Sequence, residues 1–213
     1  MIEMKKIEDT REQYIFTKMF DIEALNTRMV NRIDELGDQM NYTTNVRAYT
    51  THSTLSFQYP EFSEFSKIVE EYAIECSIQM NSDYENHLTR LNHPFWKSLY
   101  IDTQVCGVMW GSKYASGEVA IPHDHWPATW AWVYYIDPPE NAPGIYFPTL
   151  DYEQEIEHGM LIMFSGNLMH EVRSQEFDGY RYVVAGSILT NPWISGIQGI
   201  PPEDGPPKDG KVK

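Results

Sequence analysis

An α+β fold, with helices leading into an antiparallel sandwich or barrel, is what this 213-residue chain predicts. Two segments near the start carry apolar residues at helical spacing. From Tyr100 onward the texture changes to short alternating runs rich in β-branched and aromatic residues, punctuated by Gly and Pro. Aromatic residues make up 14% of the chain, with 6 Trp and 14 Tyr, which favours a β-rich core.

The elements follow in order. Residues 1–20 are mixed, with Tyr14, Ile15, Phe16 and Phe20 reading as a first strand. Ile22, Leu25, Met29, Ile33 and Leu36 form a helical stripe, with Asp21 placed to cap its start and Gly37 its end. Residues 38–59 are polar, Thr-rich and irregular. Pro60 opens a second helix whose stripe, Phe62, Phe65, Ile68, Val69, Tyr72, Ala73 and Cys76, reads as core. Residues 81–98 suggest no more than a short helix ended by Pro94. Residues 100–114 alternate as one long strand or two short ones, and residues 115–122 turn into a histidine-bearing stretch. Residues 129–136 form a strand closed by Asp137-Pro138-Pro139. After a turn at 141–144 comes a short strand with a proline interruption. Gly159 opens a buried strand and Gly179 the last one. The tail from Asn191 is Pro-, Gly- and Lys-rich at its end and reads as mobile. The chain thus divides into a helical flank over 1–98, a β-core over 99–190 belonging to the same domain, and a tail over 191–213.

Charge and cysteine content narrow the function. With 16 basic and 31 acidic residues the net charge is −15, a field that argues against nucleic acid as a partner. No stretch is long and apolar enough to span a bilayer as a helix, and the N-terminal lysines are not followed by a secretory-type apolar region. Cys76 and Cys106, with no CxxC pair, make no disulfide framework and fit a reducing, cytoplasmic compartment. Nothing in the sequence fixes an oligomeric state.

The chemistry concentrates in IPHDHWPATWAWVYYID, residues 121–137. In a strand, residues i and i+2 share a face, so His123 and His125 would converge while Asp124 points away. His170, in MFSGNLMHEVRS, arrives on another strand or its end and can complete a three-ligand face. Imidazole nitrogen suits Fe, Zn, Cu and Ni, and a facial triad with open positions is the non-haem Fe(II) arrangement. Alternation in the last strand puts Arg181, Val183, Ala185 and Ser187 on one face. A guanidinium among small apolar residues needs a partner. It grips a carboxylate through two parallel hydrogen bonds, and an organic carboxylate or a protein Asp or Glu would serve equally.

NVRAYTT at 45–51, YASG at 114–117, IPHDH, WAWVYYID, GMLIMFSGNLMHEV and GYRYVVAGSIL together resemble the Fe(II)- and 2-oxoglutarate-dependent oxygenases. The match is nearest to the 2OG-Fe(II) oxygenases with an HxH signature, and looser to prolyl-4-hydroxylase-type domains. It is clearest from about Val105 to Leu189. The resemblance implies a double-stranded β-helix, or jelly roll, flanked by helices, with Fe(II) as the metal and 2-oxoglutarate as cosubstrate. By position His123 is similar to the first metal ligand, His170 to the distal one, Arg181 to the residue that pairs the far carboxylate of 2-oxoglutarate, and Tyr114 to a tyrosine beside it. Most of the superfamily carries HxD or HxE, whereas here the i+2 residue is His125. Either His125 completes a three-His face, as strand geometry favours, or Asp124 bends round at a bulge, or only two protein ligands serve. The implied reaction consumes dioxygen and hydroxylates a peptide or small molecule, with release of succinate and CO2.

Trp126, Trp130, Trp132, Tyr134 and Tyr135 are placed to line a pocket, though core packing is the commoner role for such residues. His158 precedes a turn and is expected in solvent; His52, His87 and His93 lack partners at ligand spacing. Two other readings compete: a three-His cupin-type dioxygenase that needs no 2-oxoglutarate, and a non-catalytic jelly-roll module with a closed Zn site.

Overall fold

The computed structural model describes residues 3–7, 13–36, 45–82 and 104–190. Its helices are α1 (Glu23–Glu35), a single turn α2 (Leu55–Gln58) and α3 (Pro60–Ser82). The strands are β1 (Glu3–Ile7), β2 (Gln13–Met19), β3 (Val46–Arg47), β4 (Tyr49–Thr50), β5 (Gln104–Tyr114), β6 (Val119–His123), β7 (Trp130–Asp137), β8 (Ile145–Phe147), β9 (Tyr152–Gln154), β10 (Met160–Ser165), β11 (His170–Val172) and β12 (Arg181–Thr190). They form two antiparallel sheets, in the orders β1-β2-β10-β7-β12-β5-β4 and β3-β6-β11-β8-β9.

Side-chain alternation sorts the strands of the larger sheet between two cores. On β7, Trp130, Trp132, Tyr134 and Ile136 enter the core under the helices, against Phe62, Phe65, Val69 and Tyr72 of α3. Ala131, Val133 and Tyr135 point the other way, into the core between the sheets. The larger rings of β7 therefore mostly seat the helices, while Ala131, Val133 and Tyr135 face the space between the sheets. Core packing, the commoner role for such residues, is therefore what Trp130, Trp132 and Tyr134 do, on the helix side.

Other expectations also change. Asp21 does not cap α1; the N-cap is Ile22, whose carbonyl accepts the N–H groups of Leu25 and Asn26, and no side-chain cap bond is made. The segment read as irregular holds β3, β4 and α2, whose two-residue strands exist by pairing with β6 and β5 rather than by their own pattern. The N-terminal β1 and the short β11 are further additions. Residues 100–114 make one long strand, from Gln104 onward among the described residues. Gly37, Pro94, His87, His93 and the tail lie outside the described residues.

Cys76 and Cys106 are free and buried. Burial pushes both thiols up, Cys106 to about 12, which makes them packing residues rather than nucleophiles. No helix among the described residues is long and apolar enough to cross a membrane.

Candidate metal and carboxylate site

His123 ends β6 and His170 begins β11, and the two are direct cross-strand partners. His125 lies two residues past the end of β6, so a strand pleat does not aim it. A turn does: its N–H donates to the Gly166 carbonyl at 2.7 Å, and its own carbonyl accepts the Ala128 N–H at 2.8 Å. The prospective ligand atoms of His123, His125 and His170 all lie within 4.8 Å of one another. Ring centroids are 4.2 Å apart for His123–His170, 5.1 Å for His125–His170 and 5.3 Å for His123–His125. Asp124 is exposed, and its Oδ1 accepts the Trp126 N–H at 3.1 Å, which closes the turn instead of joining the cluster.

The hydrogen bonds of the rings restrict their chemistry. His123 Nδ1 meets the Ile121 carbonyl at 2.7 Å and His170 Nδ1 meets the Leu168 carbonyl at 3.0 Å. A carbonyl only accepts, so both Nδ1 atoms carry the proton and both Nε2 atoms keep a lone pair. Burial, the largest influence, holds all three imidazoles below their usual range, His125 at about 4 and His170 well below 6.5. The neighbouring rings add to the effect on His125 and His170. The cluster is therefore neutral near pH 7, the state in which imidazole binds a metal without first losing a proton.

Arg181 opens β12 opposite Tyr114, its cross-strand partner on β5. It is 1% exposed. Its guanidinium carbon sits 4.8 Å from the Tyr114 ring centroid and 5.0 Å from that of Tyr135. Nη2 donates to the Tyr135 hydroxyl at 3.3 Å, while Nε and Nη1 have no acceptor among the described residues. A protein carboxylate as partner, one of the two possibilities open in the sequence, is thus not found among the described residues. Burial pushes the Tyr114 phenol up to about 12 despite the Arg181 charge beside it, so it stays a neutral donor. The donor set suits an acceptor of carboxylate type: a buried guanidinium whose Nε and Nη1 have no protein acceptor among the described residues, in a dry site.

A cleft of about 490 Å³ opens over His123 and His125, with Trp110, Trp126 and Thr51 among its walls. Trp126, 74% exposed, stands at its surface. Two neighbours have roles that the sequence did not suggest. Trp110 stacks on His125, with centroids 5.8 Å apart and planes at 13°. Ser187 Oγ lies 2.7 Å from His125 Nδ1. Ser187 was readable as sharing the Arg181 face, and Trp110 as sharing the Tyr114 face of β5. What they touch depends on the turn that carries His125. His158 is half exposed between Glu23 and Asp137, at 3.2 and 3.4 Å, away from the cluster. His52 lines the cleft with Nδ1 at 3.1 Å from Thr54 Oγ1.

No family model and no curated protein matches the chain. Solved structures do. The viral collagen prolyl hydroxylase of Paramecium bursaria Chlorella virus 1, in its 2OG complex, superposes with a TM-score of 0.51 at 16% identity, covering 81% of this chain and 94% of that one. A prolyl-4-hydroxylase of Pseudomonas putida superposes with a TM-score of 0.55 at 13% identity, covering 83% and 92%. The fold is that of the prolyl hydroxylases. The predicted double-stranded β-helix flanked by helices therefore stands, and the chain carries an HxH-type group of three histidines inside that fold.

Proposed function

We propose that the protein is an Fe(II)- and 2-oxoglutarate-dependent dioxygenase that hydroxylates a peptide or small-molecule substrate and releases succinate and CO2. The observation that carries this reading is Arg181, a buried guanidinium with two nitrogens lacking any acceptor among the described residues, in a fold that also gathers three neutral imidazoles. The viral relative in fold was solved with 2OG bound, which supports the choice of cosubstrate.

His123, His125 and His170 hold the metal through Nε2. Three imidazoles leave coordination positions open, and a closed Zn site would need a fourth ligand that the group does not contain among the described residues. Arg181 binds the far carboxylate through N–H groups that have no protein acceptor among the described residues, with Tyr135 bracing Nη2 and Tyr114 packed on the guanidinium face. Because no carboxylate ligand offsets the ion, the site attracts a dianion more strongly than an HxD site would. The cleft beside Trp110 and Trp126 receives the substrate. When bound, iron together with the oxoacid supplies the activation of dioxygen; the protein supplies orientation and a dry wall.

The test is anaerobic titration of 2-oxoglutarate into Fe(II)-loaded protein, followed by its charge-transfer absorption. Wild type is expected to develop the band. Arg181→Ala should keep Fe(II) but bind 2-oxoglutarate about 10- to 100-fold more weakly, as expected on losing charge-assisted hydrogen bonds. Iron-loaded wild type that neither binds nor consumes 2-oxoglutarate would sink the proposal. Oxygen uptake with a carboxylate substrate alone would move it to the cupin-type reading.

A further inference from the structure

We infer that Ser187, with Trp110, is a positioning residue that makes His125 a metal ligand. The inference rests on the metal-centre part of the dioxygenase reading. A carboxylate in this place would need no such device, because either of its oxygens can face an ion. An imidazole has a single lone pair, and it must lie on the nitrogen that faces the other rings. For His123 and His170 the matter is decided by backbone carbonyls two residues earlier, which only accept. For His125 the atom facing Nδ1 is the Ser187 hydroxyl, at 2.7 Å, and a hydroxyl can donate or accept. His125 is thus the member of the three whose tautomer depends on a side chain. With Nδ1–H donating to Ser187 Oγ, the lone pair falls on Nε2.

Trp110 supplies the second restraint. Its ring lies nearly parallel to that of His125, at 13°, and blocks rotation of the imidazole on that side. Ser187 is itself well held: it is 6% exposed and sits in the centre of the larger sheet, paired with Val108 and Ala131. The β12–β5 register shifts between Ser187 and Ile188, so that Gly107 is the extra residue on β5 at this level. One strand therefore carries both devices on one face, the carboxylate-binding Arg181 at its start and the histidine anchor Ser187 six residues on.

The test reads the apoprotein first. Long-range 1H–15N spectra of 15N-histidine-labelled wild type should show His125 as the Nδ1–H tautomer. In Ser187→Ala it should become a mixture with the Nε2–H form, and Ser187→Thr should restore the wild-type pattern. Co(II) titration should then show about 10- to 100-fold weaker binding in Ser187→Ala and wild-type binding in Ser187→Thr, the range typical for loss of a hydrogen-bond partner of a metal ligand. Trp110→Leu, which keeps the serine, should retain the tautomer yet bind Co(II) more weakly; it serves if Ser187→Ala fails to fold. A wild-type tautomer or wild-type Co(II) affinity in Ser187→Ala overturns the inference, as does wild-type affinity in Trp110→Leu. Neither readout involves 2-oxoglutarate, so failure of cosubstrate binding leaves this result standing, and the reverse.

Discussion

Gly186 shows how tightly the helix-side face of β12 is packed at the scale of one residue. A Cβ there would lie 2.2 Å from the Val108 carbonyl oxygen and 2.6 Å from Trp132 Cζ2. The first is backbone in the adjacent strand and cannot swing aside; the second is an indole fixed in the helix-side core. Gly186→Ala is expected to lower stability by about 1–3 kcal/mol, as overpacking does. Urea denaturation would show it, and an unchanged midpoint would mean that β12 is looser than its neighbours imply. Arg181 lies at the opposite extreme, since its surroundings accept a bulky cation but leave part of it unpaired. That the residue faces inward was readable from alternation with Val183 and Ala185. That no protein carboxylate among the described residues meets it was not, because its surroundings come from β5 and β7, far away in sequence.

Among the elements, α1 is attached through polar contacts as much as apolar ones. Asn26, 1% exposed, accepts the Tyr134 hydroxyl at 2.9 Å, and Tyr49 donates to the Ile33 carbonyl at 3.1 Å. Ile33 fills the space over Gly111, where a Cβ would meet it at 2.6 Å. Asn26→Ala should cost about 1–3 kcal/mol by leaving the buried Tyr134 hydroxyl without its acceptor. Tyr134→Phe in the same background should recover part of that loss, and a double-mutant cycle with zero coupling would contradict the contact. The surface pair Lys113–Asp34, at 2.8 Å, contributes less because water screens it. The long strands and α3 were legible because their periodicity is their own. The two-residue strands β3 and β4 were not, since such short segments are strands only where a partner binds them.

For the whole molecule, the buried histidine cluster ties stability to pH. The unfolded imidazoles titrate near 6.5, whereas burial depresses all three in the folded state. Above pH 6.5 neither state is protonated and stability is full. As pH falls from about 6.5 towards 4, the unfolded chain takes up protons that the folded protein refuses, and stability drops. The metal-free protein should therefore melt progressively lower across this window. His125→Asn should show a shallower decline than wild type in calorimetry at matched ionic strength; an equal slope would show that the cluster is not responsible. A divalent ion should raise the melting temperature at pH 7.5 and do so less at pH 5.5, where protons compete for the rings.

Periodicity and composition were enough for the α+β class, the helical flank before the β-core and the buried faces of α3 and β12, and motif spacing singled out His123, His125, His170 and Arg181 as candidates. These are local properties: each is written in the spacing of a segment that keeps its pattern whatever it packs against. Contacts between distant segments decided the rest. The pairing of β6 with β11 brought His123 beside His170, and a turn tied to Gly166 aimed His125 and turned Asp124 aside. The orphaned N–H groups of Arg181 and the Ser187–His125 hydrogen bond likewise exist only after folding, because each depends on atoms that strand order, not chain order, makes neighbours.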